Sequence, residues 1–380
     1  MILYILLIIS ALLLLIYFFY KIKYPFWSRQ PVFHFHNLFY WYDPPGIIQH
    51  DKPEINKYYK SDIRFYEFNE LTEKDKSDFF HFIRENFMPN NHEHFDPSQN
   101  AIMDYFYSHN NKSFISLFYK NNFAKKDLIS VMTTRPLDIM INKKHFSLYY
   151  VDYLCVHQKE RKKGIAPITI YSHYANSRFK HNNIVFLFKR EGNTTSIVPL
   201  TVYQTYAYYT KYWKKNIEFE EPYIYTLKMT SQNSHLFVEL LQSSRNKYKC
   251  VITPYIGNII HLINKNHLHI YMLMYEKKPV GFYVFRNLYT KYDSLDSFEL
   301  SASYSLVEKE IFVKGFLNSL NKINKVIPHD IILIEDTSDN NFILNFLMDK
   351  YTPKFKSVTS YYLYNYAERP LLSYDVLCIN

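Results

Sequence analysis

From Ser147 to Pro167 the chain reads SLYYVDYLCVHQKERKKGIAP. The aromatic and branched residues from Ser147 to Val156 predict a strand. Pro167 predicts the first turn of a helix, where its missing N–H costs nothing. Between them lies a basic loop, His157 to Lys163, followed by Gly164, Ile165 and Ala166. A strand, a cationic loop and a helix N-terminus in that order gather free backbone N–H groups, a flexible glycine and the charges of Arg161, Lys162 and Lys163 around one point. That arrangement suits a pyrophosphate. A solvated turn between strand and helix accounts for the same residues, and the loop alone does not decide between the two.

Other residue types that do chemistry are sparse. The three cysteines, Cys155, Cys250 and Cys378, are far apart and include no CxxC pair, so neither a disulfide framework nor a zinc cluster is indicated. Cys155 lies in the predicted strand, where packing is the ordinary role of a thiol and a covalent nucleophile the rarer one. His92-Glu93-His94 with Asp96 has the spacing of metal ligands but no partner cluster elsewhere, and no metal is expected.

The surrounding elements have to position this loop. With 380 residues, 38 Tyr, 31 Phe and only 6 Gly, the composition is that of a packed globule of two ordinary domains or one large one, not of a disordered chain. The net charge of +10 suits an anionic partner, which nucleic acid, a phospholipid surface or a phosphate-bearing cofactor would each satisfy. No recognition motif supports nucleic acid. Ile2 to Tyr20 is an uncharged apolar run of the ~20 residues a membrane-crossing helix needs. Lys21, Lys23 and Arg29 follow it, which predicts a single-pass anchor with the rest of the chain in the cytosol.

Beyond the anchor, His34 to Lys60 reads as an extended wrapping segment, and Glu73 to Phe87 as an amphipathic helix with Phe79, Phe80, Ile83 and Phe87 on one face. Strands are predicted at Phe114–Tyr119, Leu128–Thr133 and Leu148–Val156, then a helix from Pro167 to Arg178. The second half repeats part of this order. A helix begins at Ser234, a hairpin runs from His269 to Arg286 around Glu276-Lys277-Lys278-Pro279, a helix spans Lys309–Asn321, and strands fall at Ile331–Ile334 and Tyr361–Tyr366. A boundary is expected near Glu218 to Tyr225.

The spacing Arg161-x-x-Gly164-x-Ala166 resembles the coenzyme A loop of the GNAT acyltransferase superfamily. Its flanks, Tyr153-Leu154-Cys155-Val156-His157 and Ala166-Pro167, resemble the signature of the glycylpeptide N-myristoyltransferases. Phe26-Trp27-Ser28-Arg29-Gln30-Pro31-Val32 is similar to that family's FWxTQPV stretch, and Tyr361 to Tyr366 to its YYLYNW strand. The likeness runs from about Tyr24 to Asn380 and is thin between these landmarks.

The resemblance implies an α/β fold with a mixed α+β sheet, made of two fused GNAT-like halves about a pseudo-twofold axis. The implied division is an anchor over residues 1–23, an acyl-CoA-binding half over 24–220 and a peptide-binding half over 221–380. The implied reaction transfers a fatty acyl group, myristoyl in this family, from coenzyme A to an N-terminal glycine amine. A catalytically lapsed relative or a GNAT-type enzyme with another acyl chain or acceptor is the alternative. The backbone N–H groups of Tyr153 and Leu154 would bind the thioester oxygen, as donors freed by a strand bulge can. The chain-terminal carboxylate of Asn380 would act as base, with Asp152, where the family usually has Asn, beside the amine. Tyr24, Phe26, Trp27, Cys155, Val156 and the loop Arg161, Lys162, Lys163, Gly164, Ile165 and Ala166 would contact myristoyl-CoA.

Three departures stand out. Gly164 replaces a frequent basic residue, Met88 to His92 lacks the family's acidic run, and Gln204 to Tyr208 stands where the family has RYWHR. A different peptide preference is expected. The acceptor would be an N-terminal glycine of a peptide or protein, with the enzyme a monomer and no nucleic acid involved.

Overall fold

The computed structural model describes residues 2–88, 93–122, 125–182, 184–192, 196–211, 213 and 218–380. In chain order the helices are α1 (Ile2–Lys23), α2 (Phe39–Tyr42), α3 (Glu73–Asn86), α4 (Gln99–Met103), α5 (Ile165–Lys180), α6 (Ser234–Lys247), α7 (Ile256–Asn264), α8 (Lys309–Asn324) and α9 (Asn340–Met348). The strands of the first part are β1 (Gly46–Ile47), β2 (Arg64–Glu67), β3 (Glu93–Phe95), β4 (Phe114–Asn122), β5 (Lys125–Ile141), β6 (Lys144–Val156), β7 (Phe186–Glu191) and β8 (Thr201–Tyr209). Those of the second part are β9 (Ile224–Lys228), β10 (Cys250–Thr253), β11 (Leu268–Tyr275), β12 (Lys278–Tyr292), β13 (Leu295–Ser305), β14 (Ile331–Glu335), β15 (Phe355–Tyr364), β16 (Tyr366–Ala367) and β17 (Val376–Cys378).

Local chemistry sets the element ends. The Thr72 hydroxyl accepts from the Asp75 N–H at 3.1 Å and caps α3, whose Phe79, Phe80 and Ile83 are buried, as their spacing predicts. The β5–β6 hairpin turns through Asn142 and Lys143 at φ +46° and +68°, and β11–β12 through Glu276 and Lys277 at +47° and +67°. Consecutive positive φ values are the signature of the tight hairpin turn whose twist matches the strands.

The repeat predicted from the order of elements is visible in the pairing. In the first half β4, β5 and β6 are antiparallel neighbours, α5 crosses over, and β7 returns parallel to β6. In the second, β11, β12 and β13 are antiparallel, α8 crosses over, and β14 returns parallel to β13. The halves exchange their last strands. β15, from the second half, pairs with β7, β8 pairs with β14, and β8 and β15 pair with each other at the centre. One mixed sheet therefore runs through the molecule.

The chain's last residues are part of this sheet: β17 lies parallel to β10 beside β5, and Val376, Leu377, Cys378 and Ile379 are buried. The segment from His34 to Lys60 is largely irregular and packs on the body, with the preceding Phe33 in the core and the Gln49, His50 and Asp51 carbonyls holding the buried Arg178 guanidinium. At the other end, α1 presents apolar side chains such as Ile8, Leu12 and Leu15 outward, while Tyr20 at its foot is buried against His34 and His36. Among the described residues no helix is long and apolar enough to cross a membrane, and the side chains of Ile2, Leu3 and Leu6 lie outside them.

Candidate active site

The parallel pair β6–β7 is registered only at Tyr149–Phe186 and Tyr150–Leu187. Beyond those residues the strands part, and a cleft of about 590 Å³ opens between them. Its walls include Phe26, Trp27, Leu154, Ala166, Pro167 and Phe188, so it is mostly apolar, with the start of α5 at its rim. A second, smaller cleft of about 200 Å³ is lined by Tyr105, Tyr153, Arg286, Tyr289 and Glu299. Phe87, Asp152 and Lys189 belong to both. An apolar slot and a charged slot thus meet at one carboxylate and one amine.

Asp152 reaches this junction through a bulge. Met132 pairs with Leu154 and Thr134 with Val151, which leaves Thr133 facing both Asp152 and Tyr153. The extra residue bends β6 and re-aims its backbone. The expected Tyr153 donor is engaged, since its N–H donates to the Thr133 hydroxyl at 3.1 Å. Arg135, a buried residue flanked by the Tyr105 and Tyr150 rings at 5.3 and 5.4 Å, donates its Nε–H to both Asp152 oxygens at 3.0 Å. Burial pushes the Asp152 carboxyl up, and Arg135 only partly offsets it.

The predicted cofactor residues divide. Phe26 and Trp27 line the apolar cleft, Trp27 stacking on Phe188 at 6.0 Å. Tyr24 instead packs against Tyr20 at the foot of α1. Cys155 is buried in the core, its thiol pushed up to about 12 by burial, which suits packing and not nucleophilic attack.

Arg161 braces the loop: its Nε–H bonds the Val156 carbonyl at 3.1 Å and Nη2 the Asn86 carbonyl at 2.8 Å. Lys162 and Gly164 take φ of +62° and +78°, and Gly164 caps α5; the N–H groups of Ile165 and Ala166 have no acceptor within the helix, Pro167 has no N–H, and that of Ile168 donates to the Gly164 carbonyl at 3.4 Å. Lys163 lies 3.3 Å from Glu160 on the surface. The cation supply near the helix N-terminus therefore rests on Lys162 and Lys163, with Arg161 as structural support.

Asn380 is buried, and its main-chain oxygen accepts from Arg286 Nη1 at 3.2 Å. Its Nδ2 donates to Tyr361 at 3.1 Å. Arg286 Nη2 also donates to Glu299 at 2.5 Å, and Lys189 pairs with Glu335 and, at 3.6 Å, with Glu299. Burial opposes the Glu299 charge, but Arg286 and Lys189 outweigh it and hold the carboxyl below the usual range; Glu335, buried beside Glu299, is pushed up. Thr133, Arg135, Lys189, Arg286, Glu299 and Glu335 are the groups that sequence reading missed. For Arg135, Arg286 and Glu299, a single charge inside an apolar strand was the available signal.

The metal-like stretch resolves otherwise. Glu93 and His94 sit in β3 against β12, Asp96 pairs with Arg84 at 2.9 Å, and His92 lies outside the described residues, as do Pro89, Asn90 and Asn91. Among the described residues no group of three potential metal ligands occurs.

The splayed parallel pair with its bulge, and an order of antiparallel strands, crossover helix and parallel strand that occurs in both halves, define the N-acetyltransferase-like fold class. The chain superposes on a GCN5-related N-acetyltransferase from Anabaena variabilis with a TM-score of 0.51 at 11% identity, covering 79% of this chain and 72% of that one. More specifically, residues 49–184 match the family "Myristoyl-CoA:protein N-myristoyltransferase, N-terminal domain". The chain as a whole has the fold of Saccharomyces cerevisiae N-myristoyltransferase with bound myristoyl-CoA. One such structure matches at a TM-score of 0.73 and 15% identity over 94% of this chain and 99% of that one. A second matches at 0.74 and 14% over 94% of each. No curated protein matches the sequence.

Proposed function

We propose that this protein is an acyltransferase of the N-myristoyltransferase type, moving a fatty acyl group, myristoyl by preference, from a coenzyme A thioester to the N-terminal glycine amine of a peptide or protein. The carrying observation is the meeting of the apolar and the charged cleft at Asp152. The family match over residues 49–184, which include the cationic loop and the bulge, supports it.

The N-terminal half, 24–220, holds the donor: the acyl chain enters the apolar cleft, and the Ile165 and Ala166 N–H groups with Lys162 and Lys163 take the phosphates. The C-terminal half, 221–380, contributes Arg286, Tyr289 and Glu299 to the acceptor slot and carries Asn380. Asp152 holds the glycine ammonium, and Asp152 or the terminal carboxylate of Asn380 takes one of its protons. A carboxylate is a weak base for an ammonium near 8, so proximity and burial have to compensate. The freed nitrogen attacks the thioester carbon, and charge on the carbonyl oxygen is met by the Leu154 N–H, joined by that of Tyr153 when the Thr133 hydroxyl releases it. The carbon–sulfur bond then breaks and the second proton leaves with the coenzyme A sulfur.

The test is acyl transfer to a Gly-initiated peptide across acyl-CoAs of increasing length. Transfer peaking near myristoyl is expected, and transfer of acetyl alone would sink the reading. Adding one residue after Asn380 is expected to lower kcat by about 100-fold, the usual worth of a positioned base. An unchanged kcat moves the role to Asp152.

The uncharged run Ile2 to Tyr20, with its outward apolar side chains and the following Lys21 and Lys23, supports a single-pass anchor that holds a monomeric enzyme on the cytosolic face. The full chain should resist carbonate extraction from membranes, and deleting residues 1–23 should release it. Extraction of the intact chain by carbonate overturns the anchor.

A further inference from the structure

One aromatic residue lining the charged cleft is unused by the chemistry proposed above. Tyr105 stands in the short turn after α4, and its hydroxyl oxygen is buried with no hydrogen-bond partner among the described residues. Tyr105 lines the cleft together with Asp152, Arg286 and Glu299, and the Arg135 guanidinium lies 5.3 Å from its ring, which puts it beside the candidate ammonium site. Burial keeps this phenol protonated, so it is available as a donor. Leaving such a group unpaired is unfavourable to the fold, and beside a cleft it can be paired by a group that enters from outside.

Tyr289 faces the same cleft and is held by every part of itself. It occupies an irregularity of β12 between Asn287 and Lys291, at φ +53°, an unusual conformation for an aromatic residue. Its N–H donates to Asn287 Oδ1 at 3.0 Å, and its carbonyl accepts from Asp96 at 2.8 Å. Its hydroxyl lies 2.5 Å from His267 Nδ1, and His267 Nε2 lies 2.8 Å from Asp104 Oδ2. The other Asp104 oxygen is 3.1 Å from His261 Nε2. The His267 ring faces that of Tyr105 with centroids 6.1 Å apart, so Tyr105 and Tyr289, which line the cleft, are joined from behind by His267 and by the carboxylate next to Tyr105 in sequence.

We infer that this side of the cleft is the acceptor-recognition surface. The Tyr105 hydroxyl donates to the first main-chain carbonyl of the incoming peptide, the Tyr289 ring packs against the residue after the glycine, and Asp104 and His267 are positioning residues. This rests on the glycine-acceptor reading. In a glycyl peptide whose ammonium sits at Asp152, the nearest acceptor is the glycine carbonyl, and a protonated phenol beside Asp152 is its complement.

Tyr105→Phe provides the sharpest test, because the hydroxyl it removes serves nothing within the described protein. The variant is expected to melt higher than the unsubstituted enzyme, yet to raise KM for a Gly-initiated peptide roughly tenfold, the size of one hydrogen bond, with KM for acyl-CoA unmoved. A peptide whose first amide is replaced by an ester, a poorer acceptor, should bind the unsubstituted enzyme more weakly but bind Tyr105→Phe as well as the parent peptide does. If the ester costs both proteins equally, the carbonyl contact is wrong. Tyr289→Phe and His267→Gln should each raise the peptide KM, with the double variant no worse than the worse single one; additive effects overturn the relay. Peptide binding is also measured by calorimetry. A protein that binds the glycyl peptide without transferring to it overturns the transfer reading and leaves recognition standing, whereas unaltered peptide affinity in Tyr105→Phe overturns recognition whatever the turnover.

Discussion

At the scale of single residues, the site turns on how Asp152 is kept usable. Burial raises its pKa, and the Arg135 guanidinium, shared between both carboxylate oxygens, limits the rise. Replacing Arg135 with Met removes the lowering partner, so the carboxyl rises further and the acid limb of the acylation pH profile should move to higher pH. A kcat profile from pH 5.5 to 8.5 checks this, and an unmoved limb would show that Asp152 does not titrate in the reaction. The sign for stability follows. A carboxyl raised above its unfolded value of about 3.9 favours the fold in acid and gives that contribution up as pH rises through the folded value. Arg135→Met should therefore lose stability most at neutral pH, on the order of 3 kcal/mol for a buried charge left alone. As residues that line the apolar cleft, Asp152 and Leu154 were legible because they lie in or beside a contiguous motif. Arg135, Lys189 and Arg286 were not, since each acquires its meaning from a partner on another strand: Asp152 across the hairpin, Glu335 from the other half, Asn380 at the chain's end.

At the scale of elements, the helix over Glu73–Asn86 and the hairpin through Glu276 follow from periodicity and turn chemistry, and both were readable. β5 was read too short. Thr134-Arg135-Pro136 interrupts its alternation, and proline is unusual in a central strand, yet Pro136 pairs with Tyr149 and the strand continues to Ile141. The turns expose another consequence of a chain with 6 glycines: Lys143 holds φ +68° at the second position of its hairpin turn. A left-handed L-residue costs roughly 1–2 kcal/mol, of which glycine's extra freedom in the unfolded chain returns about 0.5–1. Lys143→Gly should therefore stabilise the protein by up to about 1 kcal/mol. Thermal unfolding measures the gain, and a lower melting temperature would show that the lysine earns its place by another contact.

At the scale of the whole molecule, the doubling was visible in the order of elements, but the exchange of β8 and β15 between the halves was not, because no local pattern specifies which distant strand a strand will join. That exchange makes the charged cleft a shared product, with Asp152 from one half and Arg286 and Glu299 from the other. The parting of β6 from β7 has a further meaning. A strand edge is a template that recruits other chains, and proteins guard their edges at the margins of sheets. In this protein the registered pairing of β6 with β7 stops at Tyr150, leaving an edge in the interior of the sheet, framed by its own neighbours. An edge that lies between strands of its own sheet is not offered at the margin where other chains pair, so the molecule can leave backbone groups unpaired along β6 beyond Tyr150 without exposing an outer edge for aggregation.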